Sequence, residues 1–556
     1  MKLTVPLAIA LLGSVLAVPT TAEAAPAIQW HQCRTGPDDQ EGKELDQAGA
    51  QCGDLRVPLD YARPNGAQIT VAMSRLKATD RRIGVMVLND GGPGGPGLGM
   101  PVRLKKVMRE TGGRFDLIGM DPRFVGRSTP IDCGWSTGSW IVGAGASRAS
   151  FQRGVGIAAG LAEQCADNPS LPYASTRNTA RDIDRIRAAL DERKISYLGY
   201  SYGTYLGAVY AQLFPHRLDR VVLDGPIDPD AYGPGLLRDI APQNEAALRA
   251  WADWAAARDS TYGLGRSRAQ VLGTIDHVLR VAARGGQPGA SRAGGGRDLK
   301  VGAPRAGGNS GGGLKVGEYE LDDGWIPALL LSNLADDRDP ARASFSELVR
   351  TLSQATTGPV EPTGATAEML EFLFTGKMSA AGSAQLAILC ADRAVSGDLG
   401  TYWRDIQKHR RTEPHFGALT RTVTPCAFWP TKPREAPTQV DNDVPALMIT
   451  ADGDPRATYP MARKLHQALT GSRLVTVRNA RKHGIFGEYG NECADRKVID
   501  YLATGKLPGT DQNCQTRPSA RGAGDCAAYG VRAARSAASG DAPPGGPRGR
   551  SPRRPA

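Results

Sequence analysis

A serine between two glycines is the residue of this sequence best suited to act as a nucleophile. Ser201 lies in the pattern Gly-x-Ser-x-Gly over residues 199–203, after an apolar run at 195–198 and before a helix-like stretch at 204–210. A strand that turns sharply into a helix holds such a serine oxygen out at the carboxyl edge of a sheet, beside the first N–H groups of the helix. We therefore predict a nucleophile elbow at Ser201.

A serine nucleophile needs a general base, and the base needs a carboxylate that orients it. His483 follows the last predicted strand and precedes a glycine, so it is the strongest candidate for the base. Asp454 follows the penultimate strand, and Asp224 follows the strand just after the serine. Either carboxylate gives the chain order Ser, Asp, His. We prefer Asp454 because it lies at the more usual strand end, and Asp452 is a third candidate.

The reaction also requires two donors for the oxyanion of a tetrahedral intermediate, and rigid backbone N–H groups suit that role. Residues 89–97, Asn-Asp-Gly-Gly-Pro-Gly-Gly-Pro-Gly, directly follow a predicted strand. We assign one donor to Gly92 in this loop and the other to Tyr202, just after the nucleophile. A phosphate-binding loop is the rival interpretation, but the loop carries no Gly-Lys-Ser/Thr and no Gly-x-Gly-x-x-Gly that opens a helix.

Short apolar segments separated by helix-length stretches predict the scaffold that positions these residues. They occur at 85–88, 115–119, 195–198, 221–223, 446–449 and 474–477. Strands that alternate with helices favour an α/β fold with a mostly parallel central sheet and helices on both faces. A hairpin is predicted at 53–78, where two strands flank Pro64-Asn65-Gly66.

The strand rhythm is lost in the middle of the chain, where a largely helical insertion is predicted to lie over the sheet as a cap. The amino-terminal segment has the charged, apolar and small-residue parts of a secretory signal, and no later run reaches the length of a membrane span. The predicted organisation is a signal peptide at 1–24, the α/β core at 25–228 and 443–514, the cap at 229–442, a Gly-rich disordered run at 284–317, and a disordered basic tail at 515–556.

The net charge of +11 has a local origin. The tail holds eight Arg and two Asp, and the Gly-rich run holds six Lys or Arg and one Asp. These two segments account for the whole excess, so the remaining chain is close to neutral. The charge therefore does not indicate a basic face that binds nucleic acid.

Export makes the nine cysteines interpretable, because disulfides persist outside the reducing cytosol. Eight of them fall into pairs of sequence neighbours, and pairing of neighbours is the simplest connectivity. The pairs are Cys33 with Cys52, Cys133 with Cys165, Cys390 with Cys426, and Cys493 with Cys514. Cys526 is left over. No Cys-x-x-Cys or His-x-x-x-His spacing occurs, so neither a metal nor a cofactor is predicted.

Several of these motifs together resemble the secreted tripeptidyl aminopeptidases, which belong with the proline iminopeptidase relatives among the α/β-hydrolases. The resemblance spans roughly residues 30–514 and is weakest in the cap. Its motifs lie at 89–97, 115–123, 126–128, 199–203, 454–455 and 483–484, and residues 491–514 resemble the C-terminal region of that family.

The resemblance implies Ser201, Asp454 and His483 as nucleophile, acid and base, in agreement with the reasoning from the residues. The chain departs from the family at Asp90, where proline is usual. It also departs at Pro96, where serine or a similar residue is usual, and at Phe124, where glycine is usual. Because Asp90 lies next to the predicted oxyanion loop, we expect an effect on rate or on pH dependence.

The function that the resemblance implies is a secreted serine exopeptidase, which removes short peptides, and tripeptides in particular, from the free amino termini of peptides or proteins. Such an enzyme needs carboxylates that bind the substrate ammonium, and Asp392 and Glu488 are the candidates. A secreted esterase or lipase-like hydrolase with the same triad is the first alternative, since fold and nucleophile do not fix the acyl group. A catalytically silent binding protein on the same scaffold is the second.

Overall fold

A computed structural model describes residues 27–285 and 313–516 of this chain. The predictions for the signal peptide, for residues 286–312 of the Gly-rich run and for residues 517–556 of the tail lie outside the described residues. Within them, no helix is both long enough and apolar enough to cross a membrane.

The described part of the chain forms a central sheet of ten strands in the order β1-β2-β3-β5-β4-β6-β7-β10-β11-β12. The pairs β1–β2, β2–β3 and β3–β5 are antiparallel. Every later pair in this order, from β5–β4 to β11–β12, is parallel. The predicted α/β fold with a mostly parallel sheet is confirmed. The strands are β1 (Gln29–His31), β2 (Gln51–Pro58), β3 (Gln68–Leu76), β4 (Gly84–Asn89), β5 (Phe115–Met120), β6 (Ile195–Tyr200), β7 (Leu218–Asp224), β8 (Leu314–Val316), β9 (Tyr319–Leu321), β10 (Leu447–Ala451), β11 (Arg473–Arg478) and β12 (Gln512–Gln515).

Helices cover both faces of the sheet, because the central strands are apolar on both sides. In β4, Val85 and Val87 face one apolar core, which contains α4 and α5, and Met86 and Leu88 face the other, which contains α2 and α16. The helices are α1 (Gln40–Gln47), α2 (Met100–Val107), α3 (Arg148–Gln164), α4 (Thr176–Ala189), α5 (Tyr202–Leu213), α6 (Ala241–Ala256), α7 (Asp259–Tyr262), α8 (Arg268–Gly285), α9 (Ile326–Ser332), α10 (Asp339–Gln354), α11 (Gly364–Phe374), α12 (Ser379–Asp392), α13 (Leu399–His409), α14 (Gly417–Thr420), α15 (Tyr459–Ala468) and α16 (Glu492–Thr504).

The segment between β7 and β10 is mainly helical and has an apolar core of its own. Leu248, Trp251 and Phe345 are buried there, on helices α6 and α10. Helix α12 differs from its neighbours, since Leu386 and Ile388 belong to the core beneath the sheet. One helix of the insertion is therefore built into the core of the α/β scaffold.

The prediction of disorder for the whole Gly-rich run is wrong at both ends, since its first two residues complete α8. Leu314 and Val316 lie in β8, which pairs with β9 in a two-stranded sheet, and both side chains are buried in the core of the insertion. Two apolar residues at alternate positions supply a buried strand face, and this outweighs the glycines around them. Gln515, predicted to begin the tail, instead closes β12.

Four disulfides join cysteines that are neighbours along the chain, in the pairs that the simplest connectivity predicts. Two of them stabilise the scaffold near its edges. Cys33–Cys52 ties the segment after β1 to β2, and Cys493–Cys514 ties α16 to β12. The other two bonds are Cys133–Cys165 and Cys390–Cys426. In the chain-entropy view, each loop of this size contributes about 3–4 kcal/mol to stability.

Candidate active site

Ser201 lies at the turn between β6 and α5 with a φ of 53° and a ψ of −120°. A positive φ is costly for a residue with a side chain, so the surrounding contacts must hold the turn. The Ser201 N–H donates to the carbonyl oxygen of Asp224, 2.8 Å away. A Cβ on Gly199 would lie 2.5 Å from the Gly203 oxygen, so this position accepts only glycine without a shift. The predicted strand, turn and helix therefore present the serine at the sheet edge.

His483 and Asp454 meet at the same edge of the sheet. The carboxylate follows β10 and the histidine follows β11, and Nδ1 of the imidazole lies 2.9 Å from Oδ2 of Asp454. Asp454 is only 1 % exposed, and its Oδ1 also accepts the N–H groups of Arg456 and Ala457. These bonds fix the carboxylate, and a fixed carboxylate selects the tautomer and the orientation of the imidazole.

A glycine after β7 lets the imidazole approach the elbow. A Cβ on Gly225 would lie 3.1 Å from Cε1 of His483 and 3.7 Å from Oδ2 of Asp454. The preceding residue, Asp224, binds the Ser201 N–H through its carbonyl oxygen. The structure thus brings the three residues predicted as nucleophile, acid and base to one place.

The alternative carboxylates make different contacts. Asp224 is fully buried and accepts the N–H groups of Ile485 and Phe486, at 2.9 and 2.7 Å. Burial raises the pKa of Asp224 to about 7, against the lowering effect of those two hydrogen bonds. Asp452 accepts the N–H of Asn479 instead. Asp224 therefore holds the segment that follows the histidine, whereas Asp454 bonds the histidine itself.

The Gly-rich loop after β4 packs directly against the elbow. A Cβ on Gly91 would lie 3.1 Å from Cβ of Ser201 and 2.5 Å from the oxygen of Tyr200. The φ of Gly91 is +99°, and that of Gly92 is +106°. Both the close approach and the positive φ exclude side chains here.

Two hydrogen bonds within this loop tether the residues on either side of Gly92. The Gly91 N–H donates to Oδ1 of Asn89, and the Gly95 N–H donates to the oxygen of Gly91. Gly92 lies between these two tethered residues, and Tyr202 opens α5 immediately after the serine. Both predicted oxyanion donors are thus on the two segments that border Ser201.

Helix α12 of the insertion rests on the same loop. A Cβ on Gly94 would lie 3.1 Å from the nitrogen of Gln385 and 3.2 Å from the oxygen of Ala381. The indole N–H of Trp140 donates to Oε1 of Gln385 over 2.7 Å, which holds the helix in place. Sequence reasoning missed this contact, because nothing in the helical pattern of residues 379–392 marks the side that meets the loop.

A second segment of the insertion contacts the loop that carries the histidine. Residues 333–338 connect α9 to α10. The His483 N–H donates to the oxygen of Ala335 over 2.9 Å, and the Arg481 N–H donates to Oδ2 of Asp337 over 2.8 Å. The insertion is therefore bonded to the loop of the predicted base as well as packed on the oxyanion loop.

The two carboxylates predicted to bind a substrate ammonium lie in different surroundings. Asp392 is buried, and its oxygens bond the N–H and the hydroxyl of Thr176, at 2.7 and 2.5 Å. The same hydroxyl lies 2.9 Å from Oη of Tyr202. Asp392 thus supports the residue after the nucleophile and is not exposed to a ligand, which corrects its predicted role. The side chain of Glu488 is 26 % exposed and forms an ion pair with Arg103.

Burial of Asp392 gives stability a defined pH dependence. Burial raises its pKa from 3.8 to about 7, so the native state retains a proton that the unfolded chain loses. The contribution to stability is complete below about pH 4 and declines as the pH rises to about 7. As the pH rises from about 4 to about 7, the Tm of Asp392→Asn is expected to fall less than the Tm of the unmodified chain. Thermal unfolding at both ends of the range tests this, and equal losses of Tm would contradict it.

Two family models and several relatives match this chain. Residues 84–306 match the family model described as alpha/beta hydrolase fold, and residues 413–514 match the one described as TAP-like protein. The chain is 31 % identical over 542 residues to a tripeptidyl aminopeptidase of Streptomyces lividans, covering 92 % of this chain and 90 % of the relative. It is 30 % identical to serine protease Hip1 of Mycobacterium tuberculosis, covering 88 % and 91 %. It is 28 % identical to carboxylesterase B of the same species, covering 89 % and 91 %.

Proposed function

This chain belongs to the tripeptidyl aminopeptidase family of the α/β-hydrolases, and we propose that it removes tripeptides from free amino termini with Ser201 as nucleophile. It is a serine hydrolase of the peptidase type. The observation that carries the assignment of residues is the bond between His483 Nδ1 and the buried Asp454, at the sheet edge where the strained Ser201 turn is held.

In the proposed reaction, His483 takes the proton of the Ser201 hydroxyl as the oxygen attacks the scissile carbonyl. The carbonyl π electrons move to oxygen, and the N–H groups of Tyr202 and Gly92 bind the resulting oxyanion. The imidazolium, stabilised by Asp454, then protonates the leaving amine. Water activated by the same imidazole attacks the acyl-enzyme and releases the short peptide, which restores the serine proton.

The insertion supports a preference for chain ends. It is packed on the oxyanion loop at Gly94 and bonded to the histidine loop at Ala335. A roof fixed on both sides of the nucleophile leaves less room for a polypeptide that continues in both directions than for one that ends inside the site. We therefore propose exopeptidase access from one end.

We propose Glu488 as a ligand for the substrate ammonium, because Arg103 bonds one of its oxygens and the side chain is partly exposed. Glu488→Gln is expected to lower the ratio of kcat/KM for a free tripeptide anilide over p-nitrophenyl acetate, which carries no amine, about tenfold, or about 1.4 kcal/mol. Glu492→Gln is the matched control, since Glu492 forms a similar ion pair with Arg109. An unchanged ratio for Glu488→Gln would remove Glu488 from the amine site.

We further propose that the protein acts outside the cytoplasm, where its four disulfides are stable. Its partners there are peptides with a free amino terminus. An esterase with the same triad is the second candidate, and the similarity to carboxylesterase B favours testing it.

Mass spectrometry of digests tests the proposed cleavage. A peptide of about ten residues is incubated with the enzyme in free and in N-acetylated form. We expect successive losses of three residues from the free peptide and no product from the acetylated one. Internal cleavage, release of single residues or equal digestion of both forms would contradict the proposal, and hydrolysis of esters alone would favour the esterase.

A further inference from the structure

Arg103 contacts three separate segments of the proposed catalytic centre. It lies on α2, the helix that follows the predicted oxyanion loop, and its Nη2 is 2.5 Å from Oδ1 of Asp90. Its Nη1 donates to Oε1 of Glu488, and its guanidinium carbon lies 5.6 Å from the centre of the Tyr200 ring. One side chain thus contacts the Gly-rich loop through Asp90, the residue before the nucleophile through Tyr200, and the histidine loop through Glu488.

Each partner of Arg103 is coupled closely to a reacting group. Asp90 precedes Gly91, whose backbone packs against Ser201. Tyr200 is the residue directly before the serine. Its hydroxyl donates to the oxygen of Phe486, on the segment after the histidine, over 2.8 Å.

The segment from the histidine to Glu488 is short and internally bonded. The N–H groups of Glu488 and Tyr489 both donate to the oxygen of Ile485, and the N–H of Ile485 donates to Asp224. A displacement of Glu488 is therefore transmitted to the histidine loop over few bonds. This segment also has the hydrogen bond from Tyr200, so it has two links to the elbow side of the site.

The backbone of Arg103 is held firmly by the packing of α2. Met100 and Leu104 anchor α2 in the core that it shares with α16, where both are buried. The side chain of Arg103 is only 31 % exposed, and charge-assisted bonds are stronger where water is partly excluded. A planar guanidinium can bond two carboxylates at a fixed angle, whereas an ammonium group acts as a point charge.

We propose that Arg103 is a positioning residue, which fixes the oxyanion loop, the elbow and the histidine loop relative to one another. This inference rests on the catalytic assignment proposed above. Its effect is on the alignment of Ser201 with its base and its oxyanion donors. A misplacement of about 1 Å between such groups can cost about 100-fold in rate.

The test uses p-nitrophenyl acetate and a fluorophosphonate probe, because neither carries an amine and both report the serine alone. Arg103→Met is expected to lower kcat for the ester and the rate of phosphonylation about 10- to 100-fold, with KM changed less than about twofold. Arg103→Lys is expected to recover only part of the loss. Arg109→Met, which removes the ion pair with Glu492, is the control and is expected to keep the full rate.

A kcat for Arg103→Met within about twofold of the unmodified enzyme would overturn the proposal, as would a rise in KM alone. If Arg103→Met does not fold, Asp90→Asn, Glu488→Gln and their double variant replace it. Since both carboxylates act through one guanidinium, the double variant is expected to lose less than the product of the single losses, and independent losses would overturn the proposal. Normal ester kinetics without peptide cleavage by the unmodified enzyme would instead reject only the peptidase function.

Discussion

Ser201→Ala is expected to lower kcat for peptide and ester substrates about 10⁶-fold, close to the rate left by the oxyanion donors and substrate binding alone. His483→Ala is expected to have a similar effect, because without the base the hydroxyl is not activated. The double variant is expected to be no slower than either single one, since the residues act as one unit. Steady-state rates of the three variants, with thermal unfolding to verify the fold, measure this.

A second serine-to-alanine variant serves as the control for Ser201→Ala. Ser332→Ala, at an exposed position at the end of α9, is expected to retain full activity and labelling by a fluorophosphonate. Labelling of the Ser201→Ala variant, or independent losses from the Ser201 and His483 changes, would show that another residue is the nucleophile.

Asp454→Asn has the second largest expected effect, a loss of about 10⁴-fold in kcat. The amide offers an N–H to Nδ1 of His483 where the carboxylate accepts one, so the imidazole adopts the wrong tautomer and the imidazolium loses its counter-ion.

Asp224→Asn is the internal control, because this second carboxylate lies in the same region. It accepts the N–H groups of Ile485 and Phe486, and an amide can accept through only one of its two atoms. We expect a loss of about 1–3 kcal/mol in stability and retention of most of kcat. The opposite ranking, with Asp224→Asn the slower variant, would transfer the acid role to Asp224.

The elbow and its partners could be predicted because each depends on short sequence patterns. Ser201 lies between a visible strand and a visible helix, and Asp454 and His483 each follow a short apolar run. Parallel strands end at one edge of the sheet, so residues that follow different strands converge without any further information. Strand position favours Asp454 over Asp224 as the acid. The hydrogen bonds favour the same residue, because Asp454 bonds His483 whereas Asp224 bonds the N–H of Ile485.

The contacts of the insertion could not be predicted in the same way. A helical pattern shows which side of a helix is apolar but not which distant loop that side contacts. The sequence therefore gives no indication that α12 packs against Gly94. The sequence offers Asp392 as one of two candidate carboxylates for a substrate ammonium but does not place it. Its burial against Thr176 follows from the packing of α12 into the core of the scaffold. The bond between Arg103 and Glu488, 385 residues apart, likewise depends on the folded chain alone.

The central claim, a Ser201-dependent exopeptidase that requires a free amino terminus, is tested most directly with Ala-Pro-Ala-type anilides in free and N-acetylated form. Hydrolysis is measured for the unmodified enzyme and for Ser201→Ala. We expect the unmodified enzyme to hydrolyse the free anilide but not the acetylated one, and we expect Ser201→Ala to hydrolyse neither. Equal hydrolysis of the two forms, or hydrolysis that persists in Ser201→Ala, would contradict the account.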